Sequence, residues 1–564
     1  MVSVYKRRPF KARNAEEYDS GSIINLFVTP INDLRDCFEF ENCIIKGKMG
    51  SGKTMLLKAN LALYLSSMVP SILSGTELIM PVYLKLSDFQ HIRNPEQIYN
   101  SIIVRIIEEI SSSYLNLIDS HKLAQLHNGV LNFASSLFEE FRFTKVLDEL
   151  SKLNAHEYIE KVSHSLGLNA KLKHPFIETA ANYKNERIVE VKTKKQPGIL
   201  DVCNAYDILL KKYNGKILLL IDEVGSLDKS FFSKTDGVSF FEVLMNQLRT
   251  VEYLRTKIAI YPHSLSDMLI ETRYGNLVLL DENILLLESY KRFRCKTIDL
   301  IHKYINANSG HPLNVSDLFD INLEDILCSD CLEQLINASG GNTRRLIKLL
   351  DMAMKVAFED HLGAGKISDT HVIATLEKES QEMTHLYYDS DLELLHKIAL
   401  ACKKRKTFKF KFPYKSPVLT KYTNKSEEHN ILSIAETGVG GRGNTYKFDY
   451  SYCFTNEIPT HHILGTDKID RSRSRKLGNW ANNIAQISEE IIEQAGLPGK
   501  INGEIQFLAN GAGFIKGNDG NDYYLVFEEI INPEKYKVLE VGKVVRFFPV
   551  IKSDSRMAVS VEVL

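Results

Sequence analysis

Short apolar runs alternate with helical patterns through the first half of the chain. Five of these runs have the length of a strand, and they are Cys43–Lys46, Pro81–Leu86, Ile217–Ile221, Lys257–Tyr261 and Asn276–Leu280. Nearly continuous apolar strands that alternate with helices are typical of a parallel sheet buried on both faces. The pattern therefore predicts an α/β core over residues 31–294. The helical stretch 95–193 within it is too long for a simple crossover and predicts a helical insertion.

The rest of the chain divides where the pattern changes. The alternation gives way to helices alone, then to helices with a glycine-rich hairpin, and finally to short strands with frequent Gly, Asn and Asp. The predicted segments are a polar, basic lead-in at 1–30, a helical segment at 295–380, a segment of helices and a hairpin at 385–480, a linker helix at 481–499 and an all-β module at 500–564.

Composition narrows the class of protein. The 564 residues are 44% apolar and 25% charged, which is ordinary for a globular protein. The net charge of −1 excludes a polycation, so a nucleic-acid surface must come from local patches. Eight scattered cysteines favour free thiols in a reducing compartment. The chain shows no secretory signal and no apolar run near the ~18 residues of a membrane helix, so we expect a cytoplasmic protein without a membrane partner.

The first predicted strand leads into the sequence GKMGSGKT, which matches the G-x-x-x-x-G-K-[ST] phosphate-binding loop. Glycines let backbone N–H groups approach phosphates, and the helix that follows presents its positive end to the same charges. Lys53 is expected to contact the β- and γ-phosphates of a nucleoside triphosphate, and the Thr54 hydroxyl is expected to bind Mg²⁺. The predicted binding residues are Gly47, Lys48, Met49, Gly50, Ser51, Gly52, Lys53 and Thr54.

A pair of acidic residues follows the third predicted strand. The apolar run Ile217–Ile221 is followed directly by Asp222 and Glu223. Asp222 is expected to hold Mg²⁺ through water, and Glu223 is expected to act as the general base for an attacking water. Two adjacent carboxylates after so apolar a strand favour hydrolysis over transfer of the phosphoryl group to an acceptor.

This order of motifs resembles that of the AAA+ ATPases. The Asp222–Glu223 pair is similar to their Walker B motif. The sequence KIAIYPHS, which begins at Lys257, is similar to the strand that ends in their first sensor. The resemblance implies that ATP and Mg²⁺ are the cofactors, and that His263 or Ser264 contacts the γ-phosphate or the water.

A helix further along is similar to a motif of one AAA+ branch. The sequence ASGGNTRRLIKLL, which begins at Ala338, resembles the G-x-x-R helix in the lid of the origin-recognition-complex branch, and we expect a bacterial member. The resemblance implies that Arg344 touches the γ-phosphate as a second sensor. It also implies a homo-oligomer in which one subunit supplies an arginine finger to the next. The candidate fingers are Arg255, Arg273, Arg292 and Arg294.

Helices that close on a hairpin resemble the winged-helix domain that follows the lid in this branch. The predicted parts are helices at Asp391–Lys404 and Ser426–Glu436 and a hairpin at Thr437–Tyr450. Arg442 would lie at the tip of the wing, where it reaches a minor groove or a phosphate. The alternating stretch Lys403–Phe412 predicts either an edge strand, with its lysines in water, or a phosphate-binding face.

The C-terminal module resembles the cold-shock domain, a small OB-type barrel. The resemblance rests on the runs Gly503–Phe507, Gly511–Ile515 and Asp522–Phe527. It implies a face of aromatic side chains that stacks on single-stranded bases. Because residues 500–564 carry about as many acidic as basic residues, a protein-docking barrel stays open as the alternative. The predicted platform consists of Phe507, Phe514, Tyr524 and Phe527.

Together these features predict a multidomain α/β protein with a P-loop AAA+ parallel sheet, a helical insertion, a helical lid, a winged-helix-like domain and a small C-terminal β-barrel. Three functions stay open. The first is an oligomeric ATPase that acts as a switch or remodeller on single-stranded nucleic acid or DNA, as the ATPase component of a bacterial antiviral defence system with a separate effector protein. The second is a replication or mobile-element initiator or loader. The third is a signalling adaptor that docks an effector without binding nucleic acid.

Overall fold

The chain forms two compact units in a computed structural model. One unit spans Ala12–Asp281, and the other combines Met1–Lys11 with Glu282–Leu564. The division therefore differs from the predicted boundaries at residues 30 and 294, because the N-terminal residues pack with the C-terminal part of the chain. The structure describes residues 2–28, 35–74, 76–127, 198–211, 214–232, 238–261, 274–307, 312–320, 331–411, 419–423, 430–436, 444–459, 484–487, 499–509, 512–527, 530, 539–552 and 555–564.

Helices and strands are numbered in chain order over these described residues. The helices are α1 (Val2–Arg7), α2 (Ser20–Leu26), α3 (Arg35–Phe38), α4 (Lys53–Ser74), α5 (Pro95–His127), α6 (Ile199–Leu209), α7 (Phe240–Thr250), α8 (Leu287–Asn306), α9 (Val315–Leu318), α10 (Cys331–Ser339), α11 (Thr343–His361), α12 (Asp369–Thr384), α13 (Asp389–Lys404), α14 (Thr420–Thr423) and α15 (Tyr450–Thr455). The strands are β1 (Cys43–Lys46), β2 (Ile79–Lys85), β3 (Lys216–Asp222), β4 (Leu254–Ile260), β5 (Asn276–Leu279), β6 (Lys409–Lys411), β7 (Leu432–Glu436), β8 (Thr445–Phe448), β9 (Ala485–Gln486), β10 (Ile501–Ala509), β11 (Ala512–Gly517), β12 (Asp522–Val526), β13 (Val544–Lys552) and β14 (Ser555–Val563).

The Ala12–Asp281 unit is built on one parallel sheet. Its strand order is β2–β3–β4–β1–β5, and every neighbouring pair runs parallel. All five apolar runs predicted to be strands are strands, so the predicted α/β core is confirmed. Strand β3 lies between two others, and its residues from Ile217 to Leu220 have no exposed surface. Burial on both faces explains why its sequence is continuously apolar rather than alternating.

The first turns of helix α5 belong to the core rather than to an insertion. Every fourth residue from Ile98 to Ile110 is an isoleucine, and each of these isoleucines is fully buried in the cluster that includes the sheet. An apolar stripe with this spacing lets a helix cover one face of a sheet. The predicted insertion at 95–193 therefore starts too early, since the helix from Pro95 packs on β2. Residues 128–197 lie outside the described part of the chain.

The N-terminal residues are a structural part of the second unit. Phe10 is fully buried, and its ring stacks on Tyr304 of α8 with 5.7 Å between the ring centres. Arg8 donates to both carboxylate oxygens of Asp351 on α11, at 3.1 and 2.8 Å. The first eleven residues of the predicted polar lead-in thus contribute core contacts to the second unit, whereas α2 packs on α4 in the Ala12–Asp281 unit.

Three strands of the segment predicted to be winged-helix-like form a four-stranded sheet together with β9, in the order β7–β8–β6–β9. Helix α13 agrees with the predicted helix, and β8 lies within the predicted hairpin Thr437–Tyr450, but its antiparallel partner β7 precedes that range. The helix predicted at Ser426–Glu436 is wrong over Leu432–Glu436, which is β7. Pairing with β8 outweighs the local preference of this short stretch. The likeness of the whole segment to a winged helix stays a prediction.

Strands β6 and β9 correct two further predictions. Strand β6 is not an edge strand, because it pairs with β8 on one side and with β9 on the other. Its Phe410 is fully buried as expected, but Lys409 is buried as well. Strand β9 lies inside the predicted linker helix 481–499, so that helix is wrong at Ala485–Gln486. Both errors concern pairings between segments that are distant in sequence.

The all-β module is confirmed as a closed barrel of five strands in the order β10–β11–β12–β14–β13. Ile505, Ile515 and Leu525 are fully buried in its interior. A β-bulge interrupts the pairing of β10 with β11 between Ile505 and Phe507. Closure of the barrel leaves no unpaired strand edge, and the five strands surround a single core.

Three general features concern only the described residues. No helix there has both the length and the apolar content to cross a membrane. Each cysteine there is free of a disulfide. No group of three or more His, Cys, Asp or Glu side chains there is arranged to hold a metal ion by itself.

Strand β4 contains a fully buried lysine. The Lys257 side chain has no exposed surface, and its ammonium group donates to the backbone oxygens of Cys37 and Glu39. Removal from water lowers the pKa of Lys257 to about 8. The carbonyl oxygens replace part of the lost hydration, but they carry no full negative charge that would restore the ordinary pKa.

Burial of Lys257 should make the stability of the protein depend on pH. Between the folded pKa of about 8 and the ordinary value of 10.5, the unfolded chain binds a proton that the folded chain has released. Stability should therefore rise with pH across this window. Thermal unfolding from pH 7 to pH 10 should show the Tm of the wild type rising relative to that of Lys257→Met. A difference in Tm that stays constant with pH would contradict the low pKa.

Candidate nucleotide-binding site

The chain segments that follow three strands meet at one edge of the parallel sheet. The loop Gly47–Thr54 follows β1, Asp222 ends β3, and Tyr261 follows β4, so all three lie at carboxyl ends of strands. Ligands of open α/β sheets bind at this edge. A direct contact agrees with this arrangement, since the Lys53 Nζ lies 4.3 Å from the centre of the Tyr261 ring.

The loop after β1 has the open backbone that a phosphate needs. Gly50 and Gly52 have φ angles of +80° and +96°, which other residues rarely adopt. Gly47 is required for a different reason, because a Cβ there would lie 2.3 Å from the Ser51 Oγ. That hydroxyl is buried and has no hydrogen-bond partner among the described residues. The loop therefore combines a close backbone approach with an unused polar group.

Lys53 is held inside the loop. Its side chain is almost fully buried, and its Nζ donates to the backbone oxygens of Gly47 and Lys48 at 2.7 and 2.6 Å. Helix α4 begins at Lys53, so the positive end of the helix dipole and the ammonium charge share one small volume. The Lys48 amide donates to the Asp281 carboxylate at 2.7 Å, which ties the loop to the segment after β5.

Asp222 and Glu223 are adjacent but have different environments. Asp222 is 2% exposed. Its Oδ1 accepts a hydrogen bond from the Glu223 amide at 2.8 Å, and its Oδ2 accepts one from the Tyr83 hydroxyl at 2.9 Å. Glu223 has a φ of 55°, in the left-handed region. Such backbone angles are uncommon outside glycine and concentrate at functional sites, where surrounding contacts maintain them.

The neighbouring strand β2 supplies two contacts to this acid pair that the sequence analysis missed. Burial, and next the charge of Asp222, raise the pKa of Tyr83 far above its usual value, so the hydroxyl remains a donor. The Lys85 Nζ lies 3.6 Å from the Glu223 carboxylate and 3.8 Å from that of Glu16. The sequence signal for these contacts is the pair of polar side chains, Tyr83 and Lys85, at alternate positions of the apolar run of β2. Only the register, which pairs Lys85 with Asp222, shows what they contact.

These residues fit a magnesium nucleotide. The buried ammonium group of Lys53 and the partnerless Ser51 hydroxyl suit a phosphate. Asp222 and the hydroxyl of Thr54, the second residue of α4, are oxygen donors of the type that Mg²⁺ prefers. The fit rests on the chemistry of the donors and on the space that the glycines leave around the loop.

Neither predicted sensor is among the described residues of the Ala12–Asp281 unit, which contains this loop. His263 and Ser264 lie outside the described part of the chain. Arg344 is the second residue of α11 in the other unit, is half-buried and forms no ion pair with a described residue. Its neighbour Arg345 is buried instead, with its guanidinium 3.0 Å from Asp449 and 3.3 Å from Glu379. The role of Arg344 as a second sensor stays a prediction.

The candidate arginine fingers that the structure describes have different environments. Arg294 is buried in an ion pair with an acid of α10, so it is not available to another subunit. Arg255 donates to backbone carbonyls near the end of α7. Arg292 is exposed and lies 3.3 Å from Glu282, and Arg273 falls outside the described residues. Of the three described candidates, Arg292 therefore has the most exposed side chain.

Comparison with known families supports the interpretation of the loop and the acid pair. Residues 8–231 match the ORC-CDC6-like family model. This ORC-CDC6-like segment contains the phosphate-binding loop, β2, β3 and both acidic residues, and it supports an ORC/Cdc6-like AAA+ ATPase. The match covers less than half of the chain, so it says nothing about the barrel.

Comparisons with individual proteins add little. No curated protein matches the chain. Among solved structures, the ORC2 protein of Aeropyrum pernix, described in ADPNP–ADP complexes, is 12% identical, and the match covers 80% of this chain and 97% of that chain. Its TM-score is 0.33. A likeness this weak carries no argument about this chain.

The C-terminal barrel, which lies outside the ORC-CDC6-like segment in sequence, has aromatic side chains exposed to solvent. Phe507, Phe514 and Tyr524 are 54%, 45% and 38% exposed. They form a row across three strands, because Phe514 is opposite both Phe507 and Tyr524. Strict alternation along β10 would turn Phe507 inward with Ile505, and the bulge between them turns it outward.

One of the four predicted aromatics is not part of this row. Phe527 is half-buried and packs against the barrel core, so three of the four are exposed together, and their role in stacking on bases stays a prediction. Phe527 lies just after β12, and its backbone oxygen accepts a hydrogen bond from the Ile530 amide. Arg442 lies outside the described residues, and its place at a wing tip stays a prediction.

Removal of the buried ammonium group should weaken nucleotide binding. Lys53→Ala should lower the affinity for ATP about 10- to 100-fold, because hydrogen bonds to charged groups contribute roughly 1.5–3 kcal/mol each. Titration of a fluorescent ATP analogue in the presence of Mg²⁺ measures this loss. Lys211→Ala is the control, since it removes an exposed lysine of the same unit outside the loop, and its affinity should stay within about threefold of the wild type. Equal affinities for the two variants would contradict the assignment of Lys53.

Proposed function

We propose that the protein is a Mg²⁺-dependent ATP hydrolase. One observation carries the proposal: a phosphate-binding loop with a buried lysine lies at the same sheet edge as a buried aspartate followed by a glutamate in a left-handed conformation. The match of residues 8–231 to the ORC-CDC6-like family supports the same chemistry.

Each residue has a distinct part in this proposal. Lys53 and the start of α4 neutralise the phosphate charge, and Thr54 and Asp222 hold Mg²⁺. The metal ion, when bound, supplies further positive charge to the phosphoryl oxygens. Glu223 orients the attacking water and accepts its proton. Lys85 restrains the Glu223 carboxylate through a pair that is weak, because both side chains are partly exposed.

The first proposed test is Glu223→Gln, which keeps the shape of the side chain and removes the base. Nucleotide binding should be retained, while turnover should fall about 10²- to 10⁴-fold, the usual contribution of a general base. Phosphate release at saturating ATP measures turnover. Asp207→Asn, which neutralises an exposed acid in the same unit, should leave it unchanged. Unchanged turnover in Glu223→Gln would remove Glu223 from this role.

We further propose that the protein is an oligomeric switch or remodeller linked to nucleic acid, and that ATP hydrolysis determines when it changes state. The ORC-CDC6-like match supports a replication or mobile-element initiator. The combination of that ATPase with a small β-barrel supports the ATPase component of a bacterial antiviral system with a separate effector protein. Arg344 as a lid sensor and His263 or Ser264 as a first sensor belong to the same proposal, on the basis of sequence resemblance. Arg292 is proposed as the finger in a homo-oligomer because its side chain is exposed.

A second candidate function is the binding of single-stranded nucleic acid by the barrel. It rests on the row of Phe507, Phe514 and Tyr524, which is exposed although the barrel interior is already filled by buried aliphatic residues. The Phe514 and Tyr524 rings lie 5.4 Å apart in an edge-to-face arrangement. Bases stack on such exposed rings with little dependence on sequence.

Loss of two of these rings should weaken binding strongly. Stacking contributes about 1–3 kcal/mol per base, so the double variant Phe514→Ala/Tyr524→Ala should lose roughly two to four powers of ten in affinity. Fluorescence anisotropy with labelled single-stranded DNA and RNA, at several salt concentrations, measures this. A shallow salt dependence is expected because few basic residues are available.

Val541→Ala is the control, since it removes an exposed apolar side chain of the same module outside the aromatic row. Its affinity should equal that of the wild type. Absence of binding by the folded wild-type protein at low salt would exclude the nucleic-acid function and favour the adaptor that docks a protein effector.

A further inference from the structure

The Tyr83 hydroxyl contacts the Asp222 carboxylate from the neighbouring strand. Tyr83 lies on β2 opposite Leu220 of β3, and alternation puts Leu220 and Asp222 on the same face of the sheet. The Tyr83 hydroxyl reaches along this face and donates to the Asp222 Oδ2 at 2.9 Å. The contact therefore joins two neighbouring strands at the sheet edge where the phosphate-binding loop lies.

The Asp222 carboxylate is fixed from two directions. The Glu223 amide donates to Oδ1 and the Tyr83 hydroxyl donates to Oδ2, so each oxygen has one donor from the protein. An oxygen of a carboxylate has room for a second partner. Rotation of the carboxylate would break both bonds at once, so the direction in which each remaining lone pair faces is set by these two donors.

We propose that Tyr83 is a positioning residue for the metal ion of the hydrolytic site, because its hydroxyl orients the Asp222 carboxylate. The inference rests on the proposed ATP hydrolysis and adds a residue outside the sequence motifs. A residue that orients a metal-binding carboxylate in this way typically changes metal affinity or activity 10- to 100-fold when it is replaced. A residue that only fills space in the sheet changes stability and leaves the response to metal as it was.

The test separates these roles by the dependence of nucleotide binding on Mg²⁺. Affinity of the full-length protein for a fluorescent ATP analogue is measured with EDTA and across a Mg²⁺ titration, beside thermal unfolding and phosphate release. Tyr83→Phe should bind the analogue in EDTA within about twofold of the wild type. Its half-saturating Mg²⁺ concentration should rise about tenfold or more, with a parallel rise in the Mg²⁺ needed for turnover.

Tyr64→Phe is the matched control. Tyr64 is a buried tyrosine of the same unit, and its hydroxyl donates to the Phe38 backbone oxygen instead of to a carboxylate. Its loss should change the Tm without changing the response to Mg²⁺. Should Tyr83→Phe fail to fold, Tyr83→Gln and Tyr83→Met form a second pair, of which only the glutamine keeps a donor and should retain the lower half-saturating Mg²⁺ concentration.

The outcomes separate the inference from the proposed function. If the wild type responds to Mg²⁺ and Tyr83→Phe gives the same half-saturating concentration, the positioning role is wrong and hydrolysis stands. If Tyr83→Phe lowers the Tm as Tyr64→Phe does and changes nothing else, Tyr83 has a structural role only. A wild type without Mg²⁺-dependent nucleotide binding overturns the proposed function and the inference together.

Discussion

The parallel direction of β1, β3 and β4 is the constraint on which the candidate site depends. Parallel strands bring all their carboxyl ends to one edge, so the loop that begins at Gly47 and the acidic residues after Ile221 meet although long stretches of chain separate them. Register matters for the site, because a shift of one strand by one residue would exchange its faces and move its polar end. The apolar sequence of the strands thus determines where their polar ends lie.

The parts of the fold that could be predicted from sequence are those specified by residues close together in the chain. Strand β3 and the loop from Gly47 are specified by consecutive residues, so the sequence alone predicts both. The contact of Tyr83 with Asp222 depends on the register between two strands, which no local pattern contains. Leu432–Glu436 is a strand because β8 pairs with it, and the outward position of Phe507 depends on a bulge. In each case a distant segment decides the outcome.

Buried charges fix the second unit at the point where its helices meet the four-stranded sheet. Arg345 lies close to both Asp449 and Glu379, and Lys348 shares the Glu379 carboxylate at 2.7 Å. Asp449 also caps the start of α15 through the Ser451 amide. Loss of one member of this cluster would leave a buried charge unpaired, which is strongly destabilising. The residue beside Arg344 therefore belongs to a rigid structural cluster.

The second unit is assembled from two separate stretches of the chain, and this has a consequence for dividing the protein into fragments. A fragment that begins at Glu282 lacks the phenylalanine that stacks on Tyr304 and the arginine that neutralises Asp351. It would expose an apolar surface and leave a carboxylate without its bidentate partner. A peptide of the first eleven residues carries the complementary groups, so the two pieces together form a pair suited to non-covalent reconstitution.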